Sequence, residues 1–271
     1  MSVKYNRQHS WNLLLNLFIY LQVSHSLNNA VSNRRSSESL LILLDRDGVI
    51  NDDVGPPGVL SSSQLKLTPN AASAIGSLKR KGHIVDVITN QSCVGKGLIS
   101  MDTLHDIHSN LQSMLWTEDK DATIDAFYSC TSTSTMYDFR RKPNPGMIHE
   151  AFLQYMKTIH SEPSSSQDVT WYRERCVLIG DSWRDLEAAA VCGIDRRVLV
   201  STGYGLECMN YRKPSPYSVL RVDSPLFYNS LDVPREDSTR KTIDIEPPNK
   251  VFPFYYTENL SSAINWLLRS I

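Results

Sequence analysis

The stretch LILLDRDGVIN, which begins at Leu41, constrains the fold more than any other part of the sequence. Four consecutive apolar residues are typical of a β-strand buried on both faces, as in a parallel sheet covered by helices. The strand runs directly into two aspartates, Asp45 and Asp47, and then a glycine. Two carboxylates this close repel each other unless a cation joins them. The sequence therefore predicts a central strand that ends in a cation-binding acidic pair.

Short apolar strands alternate with amphipathic helices along the rest of the chain. Further strands are predicted at HIVDVITN, TIDAFYSC, CVLIGD and RRVLVST. Helices are predicted at AASAIGSLKRKG, Met101 to Trp116, NPGMIHEAFLQYMKTIH, WRDLEAAAVCG and NLSSAINWLLRS. This alternation predicts an α/β fold with a doubly wound, mainly parallel, Rossmann-like sheet, and we expect no large cap domain.

Two segments fall outside this rhythm. Residues 1–38 combine a basic start, an apolar stretch and an Arg- and Ser-rich stretch, which is typical either of a targeting sequence or of a disordered extension. We expect residues 39–271 to form the folded domain, with an irregular excursion at 206–250. The expected location is the cytoplasm, or an organelle if the amino-terminal segment is a targeting sequence.

Charge and cysteine content exclude several classes of partner. With 28 basic and 29 acidic side chains the net charge is -1, so no global field attracts nucleic acid or a membrane surface. The apolar stretch near the amino end is too short and polar to span a bilayer stably. The five cysteines have no metal-type or disulfide-type spacing and are expected to be reduced. We expect a monomer.

The predicted strands place their polar loops at one edge, where ligands bind in open α/β sheets. Asp45 and Asp47 follow the first strand, TNQS begins at Thr89 after the second, and Arg141 and Lys142 follow the third at a distance. After the fourth strand come Asp181, Ser182 and Asp185. Carboxylates, small polar groups and two cations suit a phosphorylated substrate together with Mg²⁺, which takes a few carboxylates and shares phosphate oxygens.

The same loops suggest a reaction. An aspartate can attack phosphorus to give an aspartyl phosphate. A second acid two residues on can protonate the leaving oxygen and later activate water. A lysine and a metal ion can stabilise charge on the transferring phosphoryl group. These residues therefore indicate a magnesium-dependent phosphatase.

Taken in order, DRDGVIN, TNQS, RRKPNPGM and GDSWRD resemble the four motifs of the haloacid dehalogenase superfamily. The resemblance covers about Leu40 to Gly203, and DRDG, TNQS followed by GKG, and RKPNPGM are similar to the D-glycero-D-manno-heptose 1,7-bisphosphate phosphatase and histidinol-phosphate phosphatase branch. It implies an aspartyl-phosphate mechanism on a small phosphorylated metabolite, such as the heptose bisphosphate.

The resemblance also implies a role for each matching residue. Asp45 is the expected nucleophile and Asp47 the expected acid/base. Magnesium is expected on Asp45, the backbone carbonyl of Asp47, and Asp181. The expected substrate-binding residues are Asp53, Thr89, Asn90, Gln91, Ser92, Arg141 and Lys142.

Several of these residues have a plainer alternative. Thr89 and Asn90 would also suit the start of a helix, and Asp53 would suit an ordinary turn. Asp185 would suit the first turn of a helix, where an acid complements the helix dipole. His105 and His108 lack ligand spacing and are expected on the surface or partly packed.

One departure from the branch concerns zinc. Relatives often carry a zinc loop before RKP, but here only Cys130 matches, while Ser132, Asp138 and Arg140 stand at the other ligand positions. One ligand of four cannot form a structural zinc site, so zinc is not expected. In addition, Ser182 replaces a lysine typical of the heptose enzymes, which removes a cation that could meet a second phosphate.

The substrate therefore stays open at this point. The alternatives are histidinol phosphate and a nucleic-acid 3′-phosphate, since a 3′-phosphatase in the same superfamily also carries TNQ. A non-catalytic scaffold is a further alternative, although all the expected acids are present. A basic groove would favour nucleic acid and a small closed rim would favour a sugar phosphate.

Overall fold

The computed structural model describes residues 39–159, 174–216, 218–225 and 247–271. The predicted amino-terminal extension, residues 1–38, lies outside the described residues, as does much of the predicted excursion at 206–250. None of the described helices is long and apolar enough to cross a membrane.

The described residues form one seven-stranded sheet with the order β3-β2-β1-β4-β5-β7-β6. The strands are β1 (Leu41–Leu44), β2 (Ile84–Asn90), β3 (Ala126–Cys130), β4 (Cys176–Gly180), β5 (Arg196–Val200), β6 (Val219–Val222) and β7 (Phe254–Thr257). All neighbouring pairs are parallel except β6 and β7, which are antiparallel. The predicted α/β fold with a mainly parallel sheet is therefore confirmed.

The helices cover both faces of this sheet. They are α1 (Ala71–Arg80), α2 (Ser92–Gly95), α3 (Met101–Glu118), α4 (Gly146–Ile159), α5 (Trp183–Val191), α6 (Gly205–Cys208) and α7 (Leu260–Ser270). Two of the longer helices, α3 and α7, begin at a side-chain cap: the side chain of Ser100 accepts a hydrogen bond from Thr103 N, and that of Asn259 accepts one from Ser262 N. The sheet is thus the middle of three layers.

Strand β1 lies at the centre because it is apolar on both faces. Its four residues are fully buried. Ile42 and Leu44 pack in the core under α1, α3 and α7, whereas Leu41 and Leu43 pack in the core under α4 and α5. Alternate side chains of a strand point to opposite faces, so a strand between two helical layers must be apolar throughout.

The segment predicted as an irregular excursion contains regular structure that the sequence did not indicate. Helix α6 and strand β6 fall within 205–222, and β6 forms the edge of the sheet against β7. Strand β7 was also not predicted, and it pairs in parallel with β5. Each is only four residues long, which is too short for a hydrophobic period to identify.

Candidate active site

The loops after β1, β2 and β4 meet the segment before α4 in a cleft of about 290 Å³. It lies at the carboxyl edge of the parallel strands, where such sheets bind ligands. The predicted site residues that line this cleft are Asp45, Asp47, Asp53, Thr89, Asn90, Ser92, Arg141, Lys142 and Asp181. Four loops that are far apart in the sequence thus contribute to one wall.

Asp45 is positioned by the sheet itself. Its backbone N–H donates to the carbonyl of Ile179 at 3.0 Å, which continues the β1–β4 ladder by one residue. Its Oδ1 accepts a hydrogen bond from Arg46 N at 2.7 Å and lies 2.9 Å from the Nζ of Lys142. Burial raises the pKa of Asp45 to about 6, the nearby Lys142 lowers it and the Asp185 carboxylate adds to the rise. The carboxylate is therefore partly exposed to the cleft and held by a single cation.

Lys142 is the buried cation of the site. Its Nζ contacts Asp45 at 2.9 Å and Asp185 at 2.6 Å, and it donates to the carbonyl of Ile88 at 2.8 Å. Burial alone would lower the pKa of Lys142, but the carboxylates of Asp185 and Asp45 outweigh burial and raise it. The lysine is therefore charged, and it counters the repulsion between the acids around it.

The side chain of Asn90 binds the backbone of the loop that carries this lysine. Its side-chain amide donates to the carbonyl of Lys142 at 3.0 Å, and its Oδ1 accepts from Lys142 N at 3.1 Å. The alternative role as a helix cap does not apply, because Gln91 occupies the cap position of α2 and no side chain caps it. Asn90 thus joins the end of β2 to the segment before α4.

Three carboxylates form a compact cluster beside Lys142. One ligand oxygen from each of Asp45, Asp181 and Asp185 lies within 4.8 Å of the others. Burial raises the pKa of Asp181 well above its usual range, and the Asp45 and Asp185 carboxylates raise it further. A hard divalent cation prefers such oxygen ligands and would relieve this repulsion, so the cluster fits Mg²⁺.

The position of Asp181 depends on two glycines. Gly48 and Gly203 have φ of +77° and +57°, and a Cβ on either would clash with Oδ2 of Asp181. The same oxygen accepts a hydrogen bond from Tyr204 N at 2.9 Å. The backbone therefore closes around one side of this carboxylate and fixes it.

Two residues of the predicted metal set, Asp45 and Asp181, belong to this cluster. For Asp47 the expected ligand is the backbone carbonyl, and its carboxylate is bound by Arg46 at 2.9 Å. Asp185 is the third member of the cluster, and it also accepts hydrogen bonds from Ser182 N and Oγ at 3.0 and 2.6 Å. Asp185 therefore forms a capping box with Ser182 in the first turn of α5, and it also pairs with Lys142.

Gln91 differs from the expectation that it lines the pocket. It is buried and absent from the cleft wall, because its amide donates both to Asp47 Oδ2 at 3.0 Å and to Thr89 Oγ1 at 2.8 Å. Asp53, in contrast, fits both of its interpretations. Its Oδ1 accepts from Gly55 N at 3.0 Å in a turn, and the same residue lines the cleft.

Sequence reasoning missed several residues of the cleft wall. These are Gly55, Pro56, Pro57, Gly58, Lys96, Ser134, Arg184 and Tyr204. Lys96 belongs to the GKG that follows TNQS, and Arg184 to GDSWRD, so both were inside recognised motifs without a role. They bring the cations on the cleft wall to four, together with Arg141 and Lys142.

The loop from Thr131 to Arg140 is held by hydrogen bonds centred on Asp138. Its carboxylate accepts from Ser132 Oγ, from Cys130 Sγ at 3.5 Å and from Arg140 N at 2.7 Å. Arg140 in turn donates to Glu150 at 2.7 and 3.0 Å. Within the described ranges, the residues that come together as a possible metal site are Asp45, Asp181 and Asp185 alone.

Comparisons with known proteins identify relatives of this chain. Residues 139–221 match the model of the HAD-hydrolase-like family. A heptose 1,7-bisphosphate 7-phosphatase of Neisseria meningitidis is 30% identical over 170 residues, which cover 63% of this chain and 81% of that protein. The enzyme of Bordetella bronchiseptica is 33% identical over 165 residues, which cover 61% of this chain and 82% of that protein.

A solved structure extends the likeness to three dimensions. The crystal structure of the B. bronchiseptica D,D-heptose 1,7-bisphosphate phosphatase, complexed with magnesium and phosphate, is similar to this chain with a TM-score of 0.57 and 25% identity. The similarity covers 86% of this chain and 99% of that one. The chain therefore belongs to the haloacid dehalogenase-like hydrolases, in the heptose 1,7-bisphosphate phosphatase family, and is a phosphatase of phosphoric monoesters.

Proposed function

We propose that the protein removes one phosphate from a sugar bisphosphate, with D-glycero-D-manno-heptose 1,7-bisphosphate as its substrate. The observation that carries this proposal is a cleft with cations at two levels. Lys142 lies inside it, paired with Asp45 and Asp185, whereas Lys96, Arg141 and Arg184 lie in more exposed parts of the same wall. A substrate with two phosphates suits two such levels.

The inner level provides the chemistry. Asp45 attacks phosphorus, the bond to the sugar oxygen breaks, and the phosphoryl group is carried on the Asp45 carboxylate. The hydroxyl of Thr89 binds a transferring oxygen, and the positive charge of Lys142 stabilises the charge that these oxygens gain in the transition state. Asp45, Asp181 and the Asp47 carbonyl would hold Mg²⁺, which would supply electrostatic stabilisation of the transferring oxygens when bound.

Asp47 moves the proton in both halves of the reaction. It donates a proton to the leaving sugar oxygen, then takes one from the water that hydrolyses the aspartyl phosphate. Its side chain is 23% exposed and lines the cleft, so it can reach a bound phosphate ester. The products are inorganic phosphate and the sugar monophosphate, and Asp45 is regenerated.

The outer level provides recognition of the second anion. Within the described ranges no carboxylate is ion-paired with Lys96, Arg141 or Arg184, although Arg141 donates one guanidinium N–H to the carbonyl of Ser132 at 2.6 Å. Arg184 stands two residues after Ser182, the position where the relatives typically have lysine. The cation absent at Ser182 is thus present two residues further on, and a guanidinium binds phosphate oxygens in pairs.

The names of the relatives support a heptose bisphosphate substrate and include both anomers. The protein of N. meningitidis is named for the β anomer of heptose 1,7-bisphosphate, and a relative in Mycobacterium bovis, 33% identical over 155 residues, is named for the α anomer. Both anomers therefore belong in the test, with histidinol phosphate and 3′-phosphorylated DNA as the competing substrates.

The test measures phosphate release by the purified chain with Mg²⁺ on these substrates and on p-nitrophenyl phosphate, which has no second anion. We expect the highest kcat/KM for a heptose bisphosphate. The variants Arg184→Ala and Lys96→Ala should lower kcat/KM for the bisphosphate by about 10-fold or more, through KM, and leave p-nitrophenyl phosphate unchanged.

The matched control is Arg269→Ala, which removes an exposed arginine from the last turn of α7. It should leave both substrates unchanged. A preference for histidinol phosphate or DNA, or equal losses on both substrates in Arg184→Ala, would overturn the sugar bisphosphate assignment.

A further inference from the structure

Arg46 is a buried charge to which the proposed reaction gives no role. Its side chain has no exposed surface. Two of its nitrogens bind Asp47: Nη2 lies 3.0 and 2.9 Å from Oδ1 and Oδ2, and Nε lies 3.2 Å from Oδ1. The third nitrogen, Nη1, points away from Asp47 and contacts Nε2 of His108 at 3.2 Å. A guanidinium so placed links the acid/base to a residue on α3.

The contact fixes the protonation state of His108. Arginine has donors only, so Nε2 must be the unprotonated nitrogen that accepts this hydrogen bond. The histidine is 6% exposed, and burial, together with the charge of Arg46, lowers the pKa of His108 to about 3. The ring is therefore neutral over the working pH range of a phosphatase.

The ring is also fixed in orientation. It stacks on Phe127 of β3 with the centroids 4.4 Å apart and the planes 12° from parallel. Helix α3 and strand β3 thus hold His108 from two sides, and His108 holds one end of the guanidinium.

The other end of the guanidinium determines where Asp47 lies. Both oxygens of Asp47 accept a hydrogen bond from Arg46, and side-chain amides complete the set: Asn51 donates to Oδ1 at 2.9 Å and Gln91 donates to Oδ2 at 3.0 Å. A planar guanidinium that binds a carboxylate through two nitrogens fixes its plane as well as its position.

We propose that His108 is a positioning residue for the proton transfer, which acts through Arg46 to aim the Asp47 carboxylate at the leaving oxygen. This inference rests on the acid/base role of Asp47 under the proposed function. The competing explanation is that His108 only satisfies a buried guanidinium and stabilises the fold.

Leaving groups of different basicity distinguish these two explanations. p-Nitrophenol departs as a stabilised anion and needs little help from an acid, whereas benzyl alcohol must be protonated as it leaves. The kcat/KM value reports only the steps up to the departure of the leaving group, so water activation in the second half does not enter. The ratio of kcat/KM for p-nitrophenyl phosphate to that for benzyl phosphate is also independent of the fraction of folded enzyme.

Two variants of similar size isolate the hydrogen bond. His108→Gln keeps an acceptor near the position of Nε2, whereas His108→Leu fills the space without one. In His108→Leu we expect kcat/KM for benzyl phosphate to fall by about 10-fold or more and that for p-nitrophenyl phosphate to fall less than about 3-fold. His108→Gln should restore most of the loss. Asp47→Asn is the benchmark, and its ratio should change in the same direction by more.

Each result is decisive. If Asp47→Asn shows no dependence on the leaving group, the proposed acid/base role fails and the inference fails with it. If Asp47→Asn shows that dependence and His108→Leu has the wild-type ratio, only the inference about His108 is wrong. Equal losses on both substrates in His108→Leu would likewise assign it a structural role and overturn the proposal.

Discussion

Replacing Lys142 with methionine tests how the acids of the site are held together. Lys142 is 3% exposed and its Nζ lies 2.9 Å from Asp45 and 2.6 Å from Asp185. Methionine has a similar length and no charge, so Lys142→Met leaves two buried carboxylates facing each other. Removing one partner of a buried ion pair costs about 3–5 kcal/mol, because the remaining charge is desolvated and unpaired.

The loss should depend on pH with a definite sign. Burial already raises the pKa of Asp45 to about 6, and Lys142 is the group that lowers it, so its removal raises the pKa further. An acid whose pKa is raised by folding stabilises the folded state at low pH and loses that contribution as the pH rises through the folded pKa. The destabilisation should therefore be larger at pH 8 than at pH 5.

The assay is urea unfolding followed by tryptophan fluorescence, with EDTA present so that no metal replaces the lost cation. At pH 8 the free energy of unfolding should fall by about 3–5 kcal/mol, and less at pH 5. Adding Asp185→Asn should recover part of the stability but none of the phosphatase activity. Lys66→Met is the matched control, since Lys66 pairs with Asp52 on the surface with side chains 80% and 40% exposed, and it should show no measurable change. A loss in Lys142→Met that is absent at pH 8, or equal at both pH values, would refute the reasoning.

Two further predictions concern other parts of the same sheet. Asp86 of β2 is 3% exposed. Burial, and to a smaller extent the nearby Asp125 carboxylate, raises the pKa of Asp86 to about 7. Ionisation of Asp86 therefore destabilises the fold as the pH rises above about 4. In urea unfolding, Asp86→Asn should therefore raise the free energy of unfolding at pH 8 by up to about 4 kcal/mol and have little effect at pH 4. A gain of equal size at both pH values would contradict this. Gly203→Ala should displace Asp181, because the added Cβ would clash with its Oδ2. The Mg²⁺ concentration for half-maximal activity should therefore rise by about 10-fold or more. Gly82→Ala, at φ +82° with nothing within 4 Å of the added Cβ, is the control in the same Mg²⁺ titration, and equal midpoints in the two variants would argue against the clash.

Local patterns were sufficient to predict the centre of the fold. The run Leu41–Leu44 could be assigned to the middle of the sheet because both faces of this strand are apolar. In addition, parallel strands bring their carboxyl ends to one edge of the sheet. Because these loops share one edge, the sequence was sufficient to predict one site that contains Asp45, Lys142 and Asp181, and all three line the cleft. The amphipathic period likewise placed α1 and α3, whose apolar residues are buried as expected.

Contacts between distant side chains could not be predicted in this way. Arg46 and His108 are 62 positions apart and meet only because β1 and α3 pack together, so His108 was expected at the surface or partly packed and is instead buried. Gln91 faces Asp47 rather than the cleft for a similar reason, since its neighbours are determined by tertiary packing. Strand β7 is identified by its pairing with β5 and not by any period of its own four residues.

The central claim is that Asp45 carries the phosphoryl group, and chemical trapping tests it most directly. Borohydride reduces an aspartyl phosphate to the alcohol but leaves a free carboxylate intact, so the modified residue can be located by peptide mass spectrometry. The full chain is mixed with p-nitrophenyl phosphate and Mg²⁺, quenched and reduced, with a substrate-free sample and Asp45→Asn as controls. We expect reduction at Asp45 alone, and only when substrate is present. Hydrolysis without any reduction at Asp45, or reduction at another aspartate, would contradict it.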